Sequence, residues 1–585
     1  MNRIALLECI QFLALAAVLS FVPQAAAQGN QPNIILFLVD DMGYGDAGAN
    51  GQTKFTTPNI DRMAAEGMRF TDFYAAAPVC APSRTSLLQG LHTGHGRVRD
   101  NDATRLTNTD VALPTVLKEA GYNTGIIGKW GIGESSPDDS PKTHGVDYFY
   151  GYINNYHAHN FYPEFIVKNG EKVPLGNVCA QQCGSGLKEG SGVAGAMHPD
   201  YVPFLLRDEA MAYIERSAKL PAPFFLMYSL NIPHTNNEGG YDGHGQEVPD
   251  YGEFAAQNWP KAEQGYAQMM RYIDNDVGQM LTLLRTLGID EHTLVLFTSD
   301  NGPHAEGGHD PNFFDSNGPF SGIKRDVTEG GIRVPMIARW PGVVAPGSVS
   351  DHAGYSPDFM PTFAALAGIT PPTPTDGLSI VPTLLGKPEQ QEQHNHLYWH
   401  LQGKEAVREG DWKLVGGALY NLAADPGEKT NVAAANPEVL QRLTGLMGAA
   451  NTAPVNVTWT KEKVPPVGPP PNGGSGGVGG GNGGGGNGGG GTGGGTPPEP
   501  PSGGAGGVPG EPPPNPKPTT GPGPIDPPVG GDSSGGTPAA AQAGAESSGC
   551  SVRSTEGTPG WTGLLVFAAA AMLGGSRYGR RAPRR

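Results

Sequence analysis

Two apolar runs in this chain end in the same way, and that shared ending constrains the fold more than any other feature. Residues 33–41 read NIILFLVDD, and residues 293–301 read TLVLFTSDN. A continuous apolar run suits a strand that is covered on both faces, as in a parallel sheet. Ligands of such sheets bind beyond the carboxyl ends of the strands, so we expect the two polar endings to lie together.

These strand ends offer hard oxygen ligands, which are Asp40, Asp41, Asp300 and Asn301. Carboxylate and amide oxygens suit Ca²⁺ or Mg²⁺ and do not suit zinc. Acidic residues also end strands as ordinary turn formers, and that reading would explain either pair alone. The occurrence of both pairs favours a metal site.

Two further apolar runs also lead into titratable side chains. Residues 124–127 precede Lys129, and residues 224–230 precede His234. Helical patterns lie between the strands, at residues 61–67, 113–120 and 264–287. The alternation predicts an α/β fold, with a large, mixed, mostly parallel sheet sandwiched by helices.

Cys80 stands at the start of another helical pattern, in the stretch Cys-Ala-Pro-Ser-Arg. Pro82 is typical of a first helical turn, which places Cys80 at the N-terminus of the helix. Free N–H groups and the helix dipole favour an anion there, and Arg84 adds a fixed cation. A lone cysteine is otherwise a buried apolar filler.

Residues 80–84 resemble the Cys-x-Pro-Ser-Arg motif of the sulfatase family. Other motifs of the family follow its order over about residues 32–432, at Asp40-Asp41, Gly128-Lys129-Trp130, Pro233-His234, Ser299-Asp300-Asn301-Gly302 and Lys324. The resemblance implies that a formylglycine-generating enzyme oxidises Cys80 to Cα-formylglycine. The hydrated aldehyde would then be the nucleophile that attacks a sulfate ester.

The resemblance also implies roles for the other motif residues. The expected ligands of the cation, which is Ca²⁺ or else Mg²⁺, are Asp40, Asp41, Asp300, Asn301 and the formylglycine oxygen at Cys80. The expected catalytic residues are Cys80, Arg84, Lys129, His234 and Lys324. His234, with a pKa near neutrality, is the candidate that protonates the leaving alcohol.

One position departs from the family pattern. Many sulfatases have a histidine after Lys-Trp, where this chain has Gly131. Another base must then act, and the candidates are His157, His159, His304 and His309. We expect His157, His159 and His304 to contact the substrate.

The chain divides into five predicted segments. They are a signal peptide (1–27), the catalytic domain (28–388), a small antiparallel sheet with a helix (389–460), a Pro/Gly-rich disordered linker (461–548) and a C-terminal segment (549–585). The last segment has a Gly-Cys pair, a short apolar stretch and an arginine cluster, and it resembles the sorting signals of myxobacterial surface proteins. A retained weak membrane anchor is the alternative.

These segments predict an exported protein that is tethered at the cell envelope or released. Sorting machinery that acts on the C-terminal tail is an expected partner. Cys179 and Cys183 are close enough in sequence to form a local disulfide in an exported protein, and the sequence leaves that pairing open. The formal net charge of −17 argues against a nucleic-acid surface, so we expect no nucleic-acid partner.

The sequence therefore predicts a sulfuric ester hydrolase that acts on an aryl sulfate or a sulfated carbohydrate. One alternative is a phosphodiesterase or phosphonate hydrolase of the same alkaline-phosphatase-like superfamily. Another alternative is a surface protein that binds sulfated glycans without turnover, which Gly131 suggests.

Overall fold

The computed structural model describes residues 31–101, 105–133 and 138–468, and the statements below refer to those residues. The predicted signal peptide, the predicted C-terminal segment and the predicted linker from residue 469 onward lie outside them. Within the described ranges, no helix has both the length and the apolar character that a membrane crossing requires.

The strands are short to medium in length and have the following bounds: β1 (Asn33–Asp40), β2 (Met68–Phe70), β3 (Phe73–Tyr74), β4 (Asn123–Lys129), β5 (Tyr148–Tyr152), β6 (Phe165–Lys168), β7 (Glu171–Pro174), β8 (Cys179–Gln181), β9 (Val193–Ala194), β10 (Phe224–Pro233), β11 (Thr293–Ser299), β12 (Met336–Arg339), β13 (Ser348–Ser350), β14 (Gly354–Tyr355), β15 (Leu397–Leu401), β16 (Lys404–Glu409), β17 (Trp412–Val415) and β18 (Ala418–Asn421).

The α-helices have the following bounds: α1 (Pro58–Glu66), α2 (Cys80–Gln89), α3 (Leu113–Glu119), α4 (Asn155–His159), α5 (Val202–Ser217), α6 (Lys261–Thr286), α7 (Pro311–Phe314), α8 (Glu329–Ile332), α9 (Phe359–Ala367), α10 (Val381–Leu384) and α11 (Pro437–Ala450).

One large sheet carries the strand order β13-β2-β12-β11-β1-β10-β4-β5-β6-β7. The central neighbours β11, β1, β10, β4 and β5 are parallel. The pairs β11/β12 and β5/β6 at the two margins of that parallel centre are antiparallel. The prediction of a mixed, mostly parallel sheet is confirmed.

The large sheet is buried on both faces because its central strands alternate between two cores. In β1, Ile35 and Phe37 pack in the core that contains α1, α5 and α6. Ile34 and Leu36 pack in the opposite core, which contains α2, α3 and α9. This double burial explains why the run 33–39 contains no polar residue beyond Asn33.

The C-terminal part forms the predicted antiparallel sheet with a helix. Strands β15–β18 pair in sequence order, and Leu443 of α11 packs against Leu414 and Leu419 of that sheet. Trp399 of β15 is fully buried and donates its indole N–H to the carbonyl of Ala75 at 2.8 Å. The small sheet is therefore joined to the catalytic part by a shared core.

The described chain continues beyond residue 460, where we predicted the linker to begin. The N–H of Val464 donates to the carbonyl of Gly368 at 2.9 Å, and the N–H of Val467 donates to that of Ala365 at 2.9 Å. Lys463 also forms an isolated bridge with Ile369. Residues 461–468 are held against α9 by these backbone bonds, so the folded part extends past the predicted boundary.

Candidate active site

The carboxyl ends of β1 and β11 bring the two polar strand endings together. Asp40 is the last residue of β1, and Asp41 follows it with a φ of 65°. The N–H of Asp41 donates to Oδ1 of Asp300 at 3.1 Å, and Nδ2 of Asn301 donates to Oδ1 of Asp41 at 2.6 Å. All four side chains are buried, so a cluster of oxygen ligands lies at this edge of the sheet.

Cys80 enters this cluster from the opposite side. It is the first residue of α2 and is buried, and its Sγ lies 3.5 Å from Oδ1 of Asp40. The first N–H groups of a helix have no intrahelical acceptor and favour an anion. Burial raises the pKa of the Cys80 thiol, so the unmodified side chain is protonated.

Arg84 lies one turn further along α2 and joins the carboxylates of both strands. Its Nε donates to Oδ2 of Asp300 at 2.8 Å, and its Nη1 donates to the carbonyl of Lys129 at 2.9 Å. Its Nη2 lies 3.5 Å from Oδ1 of Asp40 and has no hydrogen-bond acceptor among the described residues. One buried donor of this guanidinium thus remains available to a ligand.

The two predicted lysines also reach the cluster. Nζ of Lys129 lies 2.8 Å from Oδ2 of Asp40, and Nζ of Lys324 lies 2.7 Å from Oδ2 of Asp41. Burial opposes the charge of Lys324, but the surrounding acidic groups, Asp41 first and Glu306 among them, together outweigh burial and raise the pKa of that ammonium. Burial likewise opposes the charge of Asp40, and nearby cations, Lys129 first, hold its pKa well below the usual range.

The oxygen cluster retains capacity for a hard cation. Burial raises the pKa of Asp300 to about 7, although Arg84 acts in the opposite direction. A raised carboxyl pKa means that nearby positive charge does not fully compensate its burial. Oδ1 of Asn301 is buried without a hydrogen-bond donor among the described residues. These oxygen donors fit Ca²⁺ or Mg²⁺.

His234 follows β10 and lies beside Lys324. Its Nδ1 is 2.7 Å from the carbonyl of Thr235, and its Nε2 is 2.9 Å from Nζ of Lys324. A carbonyl only accepts, so Nδ1 carries a proton and Nε2 accepts from the lysine. Burial and then Lys324 hold the pKa of His234 well below its ordinary value. The near-neutral pKa expected from the sequence is therefore wrong for this environment.

The other candidate histidines differ in how close they lie to His234. His159 stacks on His234 with ring centroids 5.0 Å apart, and the ring of His304 lies 5.8 Å from that of His234. His157 is buried and bonds through Nε2 to the carbonyl of Phe165 at 2.9 Å, away from His234.

Both ring nitrogens of His304, but only Nδ1 of His309, are bonded to other protein groups. Nε2 of His304 bonds to the carbonyl of Pro233 at 3.2 Å, and its Nδ1 accepts from the N–H of Glu306 at 3.1 Å. His309 bonds to Glu263 at 2.7 Å and stacks on Tyr266 at 3.8 Å. Of the four candidates, His159 alone lies against His234 without both ring nitrogens bonded inside the described protein.

Gly131 lies where many sulfatases have a histidine, and an asparagine lies beside it. Gly131 has a φ of +74°, in the left-handed region that favours glycine. A Cβ at this position would lie 2.9 Å from Oδ1 of Asn155 and 3.2 Å from Cε of Lys129. The side chain of Asn155 thus occupies space that a histidine at position 131 would need.

Sequence reasoning missed several side chains that contact the predicted residues. Ser229 accepts from Arg84 Nη1 at 2.5 Å and donates to the carbonyl of Lys129 at 2.6 Å. A serine inside an otherwise mostly apolar strand was an available signal for it. Glu306 accepts from Lys324 at 3.3 Å, and Asn155 and Glu238 also lie near the site. These three come from loops or a short helix, where no periodicity marks them.

Comparison with known proteins agrees with this geometry. Residues 32–369 match the sulfatase family, and residues 320–447 match the C-terminal region of N-sulphoglucosamine sulphohydrolase. The chain is 36% identical to N-acetylgalactosamine-6-sulfatase of Mus musculus in an alignment 404 residues long that covers 64% of this chain and 71% of that protein. It is 33% identical to arylsulfatase A of Homo sapiens in an alignment 492 residues long that covers 74% of this chain and 89% of that protein.

The fold has relatives of known structure as well. The structure of Ps i-CgsB in complex with k-i-k-neocarrahexaose matches with a TM-score of 0.60 at 26% identity, covering 74% of this chain and 95% of that one. The predicted enzyme class, a sulfuric ester hydrolase, is confirmed by the named relatives. On the extent of these matches, the chain belongs to the sulfatase family.

Proposed function

We propose that this protein is an exported sulfatase that hydrolyses a sulfate monoester of a carbohydrate to the free hydroxyl group and inorganic sulfate. The observation that carries the proposal is the place of Cys80, buried at a helix N-terminus beside Asp40. A sulfate ester is an anion, so its site must stabilise charge on the non-bridging oxygens. The helix N-terminus and the ammonium groups of Lys129 and Lys324 supply that stabilisation.

Formylglycine at position 80 is part of this proposal. It would supply a hydrated aldehyde as the nucleophile. The motif at residues 80–84 and the membership of the sulfatase family support it, and so does the raised pKa of the thiol. A protonated thiol is a weak nucleophile, so the free cysteine is poorly suited to the attack. A formylglycine-generating enzyme is then a required partner.

A divalent cation is the second proposed component, with Ca²⁺ preferred and Mg²⁺ as the alternative. Its protein ligands would be Asp40, Asp41, Asp300 and Asn301, together with the oxygen at position 80. When bound, the cation supplies Lewis-acid stabilisation of negative charge. Arg84 orients Asp300 through its Nε and leaves Nη2 available to an anionic oxygen.

We assign protonation of the leaving oxygen to His234 together with Lys324. Nζ of Lys324 donates to Nε2 of His234 across 2.9 Å. A sulfate ester between them would bring negative charge close to His234. That charge raises the pKa of the imidazole and favours its protonated form. Nε2 is the ring nitrogen that would carry the proton to the ester oxygen.

Sulfated carbohydrate is the substrate class that the relatives favour. One is named for N-acetylgalactosamine 6-sulfate chemistry, and one neighbour was crystallised with k-i-k-neocarrahexaose. Arylsulfatase A represents the aryl alternative. Activity towards phosphonates or phosphodiesters, and binding without turnover, are outcomes that the experiment below separates from sulfatase activity.

Export and tethering remain proposals that rest mainly on residues outside the described ranges. Cys179 and Cys183 are joined by a disulfide with an S–S distance of 2.10 Å, which supports an oxidising compartment. The pairing that the sequence left open is therefore present in the structure. The N-terminal and C-terminal segments would direct export and attachment at the cell envelope.

The decisive experiment compares the full chain with Cys80→Ser and Cys80→Ala, each co-expressed with a formylglycine-generating enzyme. We expect mass analysis of the Cys80 peptide to show loss of sulfur and gain of oxygen in the wild type alone. Release of inorganic sulfate should fall by ~10³-fold or more in both variants, because the nucleophile is absent. An active enzyme with only a free thiol at Cys80, or release of the alcohol from a phosphodiester or phosphonate monoester that is faster than release of sulfate from sulfate esters, would overturn the proposal.

A further inference from the structure

A pair of polar side chains lies between the buried anion site and solvent. His159 stacks on His234 with an interplanar angle of 11°, and its Nδ1 lies 3.5 Å from Oε2 of Glu238. The side chains of His159 and Glu238 are 15% and 14% exposed, whereas those of His234 and Lys324 are each 2% exposed. The pair is therefore at the mouth of the site, on the side of the candidate acid.

The backbone of Glu238 is held from two directions. Its N–H donates to Oδ1 of Asn236 at 3.1 Å, and its carbonyl accepts from Nε2 of Gln182 at 2.6 Å. Gln182 belongs to the loop that the Cys179–Cys183 disulfide closes. Asn236 is itself fixed by Glu247, through a bond of 2.8 Å. Glu238 is thus anchored within its own loop by Asn236 and from the disulfide-closed loop by Gln182.

The carboxylate of Glu238 differs from that of Glu306, which also lies near the mouth of the site but has several hydrogen-bond and ion-pair partners. Glu306 accepts from Lys324 at 3.3 Å and from Asn237 at 3.1 Å, and it pairs with Arg325. Among the described residues, no lysine or arginine forms an ion pair with Glu238. Its Oε2 and Nδ1 of His159 are both shielded from solvent, and neither has a hydrogen-bond partner there.

We propose that Glu238 and His159 form a subsite for the hydroxyl groups of the sugar that carries the sulfate, an inference that rests on the proposed sulfatase function. A shielded carboxylate without a cation gains most from a donor such as a hydroxyl group. It repels a carboxylate or a second sulfate on the same ring. The subsite thus selects neutral sugars, such as hexoses and N-acetylhexosamines, over sulfated uronic acids.

The test uses the full chain with formylglycine installed and the variants Glu238→Gln and Glu238→Ala. Glu215→Gln, an exposed glutamate of α5, is the matched control. Sulfate release is measured with regioisomeric monosulfates of galactose and N-acetylgalactosamine, with monosulfates of glucuronic acid, and with 4-nitrophenyl sulfate. The aryl ester has no sugar hydroxyl groups, so it reports the sulfate site alone.

We expect Glu238→Ala to lower kcat/KM for the neutral sugar sulfates by about 10- to 100-fold, the size of a lost hydrogen bond to a charged group. The aryl ester should change by less than about threefold, which corresponds to about 0.65 kcal/mol. Glu238→Gln should reduce the preference for neutral over uronic substrates, because it keeps the shape and removes the charge. The Glu215→Gln control should match the wild type on every substrate.

A binding measurement separates failure of this inference from failure of the proposed function. Saturation-transfer NMR with methyl β-D-galactoside should show contact with the wild type that is lost in Glu238→Ala. If no ester is hydrolysed, the sulfatase proposal fails while this measurement still decides the subsite. Equal loss on sugar and aryl esters, an unchanged neutral-to-uronic ratio in Glu238→Gln, or galactoside contact that is absent or independent of Glu238 would each overturn the inference.

Discussion

Two buried ionic clusters in this protein are built from the same residue types, yet they differ in completeness. One is the active-site cluster of Asp40, Asp41, Asp300, Arg84, Lys129 and Lys324, together with the amide of Asn301 that bonds to Asp41. The other is the junction cluster, which joins the small C-terminal sheet to the catalytic part and consists of Asp72, Glu329, Glu428, Arg333, Arg408 and Lys413.

The junction cluster is centred on a carboxylate whose two oxygens are both satisfied. Oε1 of Glu329 lies 2.8 Å from Nζ of Lys413, and its Oε2 accepts from Arg333 Nε at 2.6 Å and from the Tyr74 hydroxyl at 2.8 Å. Burial opposes the charge of Glu329, but Lys413 and the neighbouring arginines outweigh it and lower its pKa. Lys413 also lies 2.9 Å from Glu428.

The active-site cluster keeps atoms unpaired in the same kind of environment. Nη2 of Arg84 and Oδ1 of Asn301 are buried without hydrogen-bond partners among the described residues, and burial raises the pKa of Asp300. Unsatisfied buried polar atoms are costly, so native proteins retain few of them. The junction cluster is not free of these features, because burial also raises the pKa of Glu428 and its Oε1, 2.9 Å from Nζ of Lys413, has no hydrogen bond among the described residues. The difference therefore lies in the central groups: Glu329 has both oxygens paired, whereas the active site leaves a guanidinium donor and an amide oxygen unpaired.

The largest expected effect on activity comes from removing the proposed cation from the active-site cluster. Exhaustive chelation should abolish sulfate release, and added Ca²⁺ should restore it, because the three carboxylates need a divalent charge. Calcium at ~100 times its Kd should also stabilise the fold by about 2.7 kcal/mol, measured as a rise in Tm. Asp300→Asn should weaken both responses. Full activity of a protein that is metal-free by elemental analysis would contradict this prediction.

The next effect concerns proton delivery in the same cluster. His234→Ala should slow hydrolysis of a sugar sulfate by ~10² to 10⁴-fold, since an alkoxide needs a proton to leave. Hydrolysis of 4-nitrophenyl sulfate should slow much less, because nitrophenolate leaves without one. Steady-state kcat values with both substrates provide the measurement. Equal slowing of the two would show that His234 acts in binding rather than as the acid.

Breaking the junction cluster should affect stability and spare the chemistry. Lys413→Met removes one partner of a buried pair and should lower the free energy of unfolding by about 3 to 5 kcal/mol. The folded fraction should retain its kcat/KM within a few fold, because the proposed catalytic contacts remain. Denaturant unfolding measures the loss of stability, and steady-state kinetics at low temperature measure the retained kcat/KM. Lys404→Met, at an exposed pair with Asp326, is the control and should change stability little.

The smallest expected effect is on the pH dependence of stability, and it comes from His157, a buried titratable group outside both clusters. Burial lowers the pKa of His157 to about 4 in the folded protein. As the pH falls below 6.5, this histidine is therefore protonated in the unfolded chain before it is protonated in the folded one. Stability contributed by this histidine is therefore present above pH 6.5 and is lost towards pH 4. Between pH 7.5 and pH 5 the loss should be about 2 kcal/mol. His157→Gln should show a correspondingly smaller decrease in denaturant unfolding, and an unchanged decrease would contradict this assignment.

Much of the fold and of the proposed metal site could be predicted because both depend on local pattern. Runs without polar residues, such as residues 34–39, are typical of strands buried on both faces, and parallel strands place their carboxyl ends at one edge. That geometry places Asp40 and Asp41 at the same edge as Asp300 and Asn301, and the pairing of β1 with β11 brings them into contact. The placement of Cys80 follows in the same way from the helix-start pattern at residues 80–84.

Tertiary structure alone decided which loop and helix side chains complete the site. His157 and His159 are two residues apart on α4, and such residues point to nearly opposite sides of a helix. The sequence offered both as substrate contacts; the packing of α4 turns His159 towards His234 and buries His157 against Phe165. Glu238 and Asn155 reach the site only through long-range contacts. Strand ends are determined by the periodicity of the chain itself, whereas these positions depend on how distant segments pack, which no local pattern records.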